Sequence, residues 1–368
     1  MILRFAYRHF LKPIFFWLNP EKVHDAFTVL GRVLGATASG RAGLRWLYQY
    51  RHPMLEQTLL GLQFANPIGL SAGFDKNALL TDVVAAIGFG FTEVGSVTGE
   101  SCEGNAKPRL WRLPKSCGLV VNYGLKNDGC QAVAQRLQGK RFAFPVGFSV
   151  AKTNSQATVE TQAGIADYHK AFSALHGVAD YLTINISCPN AYGGEPFATP
   201  ERLELLLGSL DTVATAKPIF VKLPVDITTD ELDAIVAVLA RHRVHGVIIA
   251  NLTKQRNRVE IDQEEIKHVG RGGISGKPTF KAANALIAHL FRTTNRRFVI
   301  IGSGGVFTAE DAYTKIRCGA SLVQLITGMI FEGPQVIRDI NRDLVKLLKR
   351  DGLANISEAV GVDAKIRV

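Results

Sequence analysis

Cys188, Lys222 and Lys76 stand out because their types contrast with their surroundings. Cys188 lies in N-I-S-C-P-N, between Asn185 and Asn190; Lys222 interrupts the apolar run I-F-V-K-L; Lys76 ends S-A-G-F-D-K. A thiol, with a reference pKa of about 8.5, can exchange a proton with a reacting carbon, and a lysine supplies positive charge for an anion. Neutral donors and acceptors accompany them at Ser96, Ser149, Asn185, Asn190 and Asn251. An unpartnered buried polar group costs about 1 to 3 kcal/mol, so several of them in apolar segments call for a ligand rich in donors and acceptors. Hydrogen bonding within a core accounts for any single one but poorly for the set. The runs G-S-G-G (Gly302–Gly305) and I-T-G (Ile326–Gly328) add free backbone N–H groups of the kind that cradle phosphate.

Such residues act together only if the fold converges on them. Short apolar or β-branched runs recur at Pro67–Leu70, Phe91–Ser96, Phe144–Val150, Tyr181–Ser187, Ile219–Leu223, Gly246–Asn251, Phe298–Gly302 and Leu322–Thr327. Helix-sized segments separate most of them, among them Glu201–Val213, Asp230–Arg241, Thr279–Phe291 and Ala309–Arg317. Strands that are apolar throughout belong to a parallel sheet buried on both faces, and eight β/α units predict an α/β fold closed as a (β/α)8 TIM barrel. A doubly wound nucleotide fold is disfavoured because G-x-G-x-x-G is absent. The near-miss to a P-loop at Gly276-Lys277 has Arg271 in place of its first glycine and Pro278 in place of Ser/Thr.

In a barrel, functional groups project from the C-terminal strand ends. The residues above fall there in order: Ser71–Lys76, Ser96, Ser149, Asn185–Asn190, Lys222, Asn251 and the two glycine runs. Phosphate at the last two strands, with Asn, Ser and Lys around a flat polar ring, predicts FMN, and Lys222 can face the negative charge of the reduced ring. The connection Val97–Phe142 exceeds an ordinary loop and is predicted to cover the site.

Composition excludes other classes. Among 368 residues, 43 Lys+Arg against 32 Asp+Glu give a net charge of +11, and 47% are hydrophobic against 20% charged, which provides a large core and excludes a disordered chain. No apolar run reaches the roughly 18 to 20 residues of a membrane span, and no signal-peptide pattern is present, so neither a transmembrane nor a secreted protein is expected. Five cysteines without a C-x-x-C pair argue against a disulfide framework or zinc site and for a reducing cytoplasm; metal is not expected. The basic residues are scattered and no nucleic-acid motif occurs, so no nucleic-acid partner is expected.

Residues 1–50 differ from the barrel region 51–368. In Met1–Leu18, helical spacing puts Leu3, Phe10, Ile14 and Trp17 on one stripe and Arg4, Arg8 and Lys12 on another, with a kink or restart expected at Pro13. Asn19 as N-cap and Pro20 at the first helical position start a second helix, with Gly35 as its stop. The two form a small helical hairpin in this reading, with the aromatic stripe toward acyl chains and the basic stripe toward headgroups.

S-A-G-F-D-K-N, G-F-G-F-T-E-V-G-S-V-T, G-N-A-K-P-R-L-W-R-L-P, N-I-S-C-P-N, V-K-L-P, G-G-I-S-G-K-P and G-A-S-L-V-Q-L-I-T-G occur in the order found in dihydroorotate dehydrogenases, which this sequence resembles from about Pro20 to Gly361. The helical start and P-E-x-x-H (Pro20–His24) resemble the membrane-associated, quinone-reducing class. The resemblance implies oxidation of dihydroorotate to orotate in pyrimidine biosynthesis, by a peripheral enzyme on the cytoplasmic face of a membrane. It implies FMN contacts at Ala72, Gly73, Phe74, Asp75, Lys76, Ser96, Ser149, Asn185, Lys222, Ala250, Gly276, Gly305, Ile326 and Thr327. Substrate contacts are implied at Lys76, Tyr123, Gly124, Leu125, Asn185, Asn190 and Asn251, and quinone contacts at His24 and Arg112. Cys188 is implied as the base that takes a proton from the substrate ring while hydride leaves the adjacent carbon for the flavin, with Lys222 as the second catalytic residue.

The sequence departs from the family pattern at several of these places. Cys188 stands where the quinone class has serine, as in the soluble classes; Val121 and Leu252 replace a substrate asparagine and a threonine; Ser149 replaces a flavin asparagine and Ile326 a tyrosine. A related FMN oxidoreductase acting on a less polar ring, or an FMN-binding paralogue without activity, are the alternatives. A thiol is also expected to ionise more readily than the serine it replaces.

Overall fold

The computed structural model describes residues 2–364. All eight expected runs form strands: Ile68–Leu70, Phe91–Val97, Val146–Val150, Tyr181–Asn185, Ile219–Leu223, Gly246–Ile249, Val299–Ser303 and Leu322–Leu325. They pair in parallel in chain order, and the eighth pairs with the first to close the barrel. Every residue of the central strands from Phe91 to Leu223 is buried, which is why these runs carry no polar alternation. The helices expected between them form at Pro200–Asp211, Thr229–Leu239, Phe280–Thr293 and Ala309–Arg317.

Large rings fill the N-terminal end of the barrel. Phe91, Tyr181 and Phe220 cluster there with Phe64, which comes from an antiparallel hairpin, Gln57–Leu59 with Leu62–Phe64, that plugs this end. Gly147 makes room for the Tyr181 ring, which a Cβ at that position would meet at 2.0 Å.

At the opposite end the long connection folds as strands Leu110–Leu113 and Gly118–Val121, which join Gly273–Gly276 in an antiparallel three-stranded sheet. The expectation that this connection covers the barrel mouth is met.

The N-terminal region contains more than a hairpin. A first helical run, Ile2–Trp17, passes through a π-helical turn at Tyr7–Leu11; Met1 lies outside the described residues. The wider turn lets the chain pass Pro13, which has no N–H and would crowd the carbonyl a turn earlier, so the expected kink is absorbed rather than ending the helix. Asn19 caps the second helix as expected, accepting from the N–H groups of Glu21 and Lys22, and that helix runs Pro20–Ala36. A third helix, Ala38–Tyr48, was not foreseen; Thr37 caps it through Gly40 N–H. The basic stripe is also corrected. Arg4 and Arg8 both bind the Glu332 carboxylate, and Lys12 lies over the Phe16 and Phe331 rings, so these cations hold the first helix to the barrel. The second helix is tied down by a buried ion pair, in which Arg109 Nη2 donates to Glu21 at 2.7 Å.

Candidate active site

A cavity of about 430 Å³ opens at the C-terminal ends of the barrel strands and continues between the N-terminal helices. Its barrel end is lined by Ala72, Gly73, Phe74, Lys76, Ser96, Asn185, Cys188, Asn190, Lys222, Asn251, Ile326 and Thr327, and the segment that follows the covering strand Gly118–Val121 contributes Tyr123, Gly124 and Leu125. Its outer end is apolar, lined by Phe15, Val23, Phe27, Leu30, Leu44 and Tyr48, and His24 and Arg112 also line it. Asp75, Ser149, Ala250, Gly276 and Gly305 are not part of its wall. Asp75 turns away to accept from the N–H groups of Leu79 and Leu80, which shapes the loop carrying Lys76. Ser149 stands behind Ser96, oxygen to oxygen at 2.7 Å.

The barrel interior positions Lys222. Its ammonium donates to Ser71 Oγ at 3.2 Å and lies 3.6 Å from Glu93 Oε1. Glu93 is completely buried; its other oxygen accepts from Thr183 and Gln324, while Oε1 has no hydrogen-bond partner. An uncharged residue here would leave the carboxylate without compensation, so Glu93 and Lys222 act as one unit. Ser71 was among the polar strand ends read from the sequence, whereas Glu93, Thr183 and Gln324 were not singled out. The signal for Glu93 was present in F-T-E-V-G-S, a carboxylate inside an otherwise apolar strand.

Cys188 is held by a loop tied on three sides. Asn185 Oδ1 accepts from Ser187 N–H and Oγ, and Asn251 Nδ2 donates to Ser187 O at 2.7 Å. Asn190 Nδ2 donates to the Val121 carbonyl at 2.8 Å, a contact indifferent to the side chain at 121. Asn185 also donates to Ser96 Oγ at 2.8 Å, joining this loop to the second and third strands. Burial pushes the Cys188 thiol up to about 11. The same enclosure that shapes the cavity disfavours the thiolate, so Cys188 ionises less readily than the free thiol whose reference value the sequence suggests, which leaves the comparison with serine untouched.

Lys76 Nζ lies 3.2 Å from His24 Nε2 and 4.1 Å above the centre of the Tyr123 ring. Burial, with a smaller contribution from the charge of Lys76, holds His24 down at about 3, and burial lowers Lys76 to about 8. His24 is thus a neutral acceptor beside a cation.

This arrangement has known counterparts. A family model described as dihydroorotate dehydrogenase matches residues 54–348. The chain belongs to the dihydroorotate dehydrogenase family. Among relatives named dihydroorotate dehydrogenase (quinone), it is 39% identical to that of Gloeobacter violaceus over 95% of this chain and 97% of that one. It is 38% identical to that of a Roseiflexus species, over 96% and 97%. Two solved structures from Eimeria tenella share its fold at 29% identity. One is of DHODH in complex with ferulenol, with a TM-score of 0.83 over 94% of this chain and 96% of that one; the other is a ligand-free form at 0.84 over 94% and 100%. The alignments with these relatives cover 95% and 96% of the chain, more than the residues 54–348 that the family model matches. Of the departures from the family pattern, Val121, Leu252, Cys188 and Ile326 line the cavity, and Ser149 lies one hydrogen bond behind it.

Proposed function

We propose that this dihydroorotate dehydrogenase family member oxidises dihydroorotate to orotate with FMN at the barrel mouth, and that a quinone reaches the site between the N-terminal helices. The observation that carries this reading is one continuous cavity, polar where Cys188, Asn185 and Lys222 meet and apolar where Phe15, Phe27 and Leu30 enclose it.

The donor set fits FMN. The Lys222 ammonium gives one hydrogen bond to Ser71 and retains N–H capacity for a ring heteroatom. Gly73, at φ +111, leaves its part of the wall bare, since a Cβ there would meet only Ile326 Cδ1 at 3.8 Å. Ala72, Gly73, Phe74, Lys76, Ser96, Asn185, Lys222, Ile326 and Thr327, which line the cavity, would hold the ring system. When bound, FMN supplies a two-electron acceptor for hydride. Cys188 then takes the proton from the substrate carbon, Asn185, Asn190 and Asn251 hold the substrate ring, and Lys76 meets its carboxylate. Val121 and Leu252 give the same wall an apolar patch, which favours a less polar ring as the second reading. Anaerobic mixing of the FMN-loaded protein with dihydroorotate separates them: bleaching of the flavin is expected, and none at millimolar substrate rejects dihydroorotate.

Peripheral membrane binding is part of the proposal. Among the described residues no helix is long and apolar enough to cross a membrane. Phe10, Ile14, Trp17, Val29, Val33 and Trp46 are exposed on the N-terminal helices, with Trp17 at 87% and Trp46 at 81%. Because Arg4 and Arg8 are engaged by Glu332, the exposed cations that can meet anionic headgroups are Lys22, Arg32 and Arg45. Changing Phe10, Trp17 and Trp46 together to serine is expected to weaken binding to anionic liposomes by at least about a hundredfold and to reduce turnover with long-chain quinones. Flavin reduction by substrate should be unaffected; unchanged liposome binding would sink the membrane assignment.

A further inference from the structure

We propose that His24, on the N-terminal helix, completes the substrate pocket by positioning the Lys76 ammonium for the carboxylate of dihydroorotate. The inference rests on the dihydroorotate reading above and gives His24 a role separate from any contact with quinone.

An ammonium only donates, so at 3.2 Å from Lys76 Nζ the Nε2 of His24 is the bare nitrogen and the ring proton is on Nδ1. The imidazole is half-buried in the cavity wall, and the partial burial together with the Lys76 charge keeps it uncharged through the physiological range. Phe74, two residues before Lys76, meets it edge to face with ring centres 4.9 Å apart, which fixes the ring plane. On its other side the ammonium lies over the Tyr123 ring. Among the described residues no carboxylate is within ion-pair distance of Lys76. The cation therefore has an imidazole acceptor and an aromatic face in direct contact, while the carboxylates of Asp25 and Glu21 act on it only from beyond ion-pair distance.

That environment suits a charge waiting for an anion. A carboxylate in the place of His24 would neutralise Lys76 and compete with the substrate. A neutral acceptor directs one N–H and leaves the charge for the ligand. Nδ1–H remains available on the other edge of the ring, so one imidazole can serve the substrate end and the apolar end of the cavity together.

The test uses the full-length FMN-loaded protein and orotate, followed by the perturbation of flavin absorbance. His24→Phe keeps a ring against Phe74 and removes the acceptor; it is expected to weaken orotate binding at least about tenfold, the size of a lost hydrogen bond to a charged group. His24→Gln, which restores an acceptor, should recover most of that loss, and both variants should retain FMN in full. Binding of orotate to His24→Phe as tight as to the unaltered protein overturns the assignment. So does a His24→Gln variant as weak as His24→Phe, which would indicate a packing role only. If the unaltered protein shows no response to orotate, the dihydroorotate reading itself fails, and this assignment with it.

Discussion

Replacing Cys188 by alanine is expected to leave FMN bound and to slow flavin reduction by dihydroorotate at least about a hundredfold, the usual loss when a positioned base is removed. FMN retention follows because the Ser71, Ser96, Asn185 and Lys222 network does not pass through the thiol. The pH profile gives a second, independent signature. With the thiol pushed up to about 11, the thiolate is the minor form at neutral pH, and the saturating rate of flavin reduction should rise about tenfold per pH unit toward that value. Loss of the Lys76 proton near 8 acts in the opposite direction on substrate capture. The rate at limiting substrate should therefore rise up to about 8 and then level off while the saturating rate continues upward. Cys188→Ser should retain part of the activity, displaced to still higher pH because a hydroxyl is harder to ionise. Stopped-flow absorbance under anaerobic conditions measures all three; an unchanged rate in Cys188→Ala would remove this residue from the chemistry.

Lys222→Met is expected to destabilise the fold by about 3 to 5 kcal/mol and to lose FMN. The cause is the partner left behind. Glu93 is completely buried, and with Lys222 gone its Oε1 faces neither cation nor donor, the costly outcome of breaking a buried ion pair from one side. Adding Glu93→Gln to the same chain should recover most of the stability, since the orphan charge is removed, but not FMN binding, since the ammonium is still missing. Denaturant unfolding together with the flavin content of the purified variants tests both statements. Equal stability of Lys222→Met and the double variant would mean that the pair is not coupled.

The barrel was legible from residue order because its signals are local. A run such as Tyr181–Asn185 needs only its own apolar side chains to be a strand buried on both faces, and Asn19-Pro20 needs only its neighbours to start a helix. The polar strand ends were legible for the same reason, since the C-terminal end of a barrel strand is a position along the chain before it is a position in space. Other features depend on partners that residue order leaves unpaired. The helix Ala38–Tyr48 contains Gly40 and Gly43, poor helix formers, and forms by packing on its neighbouring helices. Arg4 and Arg8 read as a membrane stripe until Glu332, more than 300 residues away, accepts them both. The Cys188 thiol carries only its reference value in the sequence until the enclosing walls raise it, and His24 reads as a contact for a distant acceptor until the fold sets it against Lys76. Periodicity and capping belong to neighbouring residues, whereas burial, ion pairing and the free energy of a proton depend on everything packed around a group, and that was decided only when the chain closed on itself.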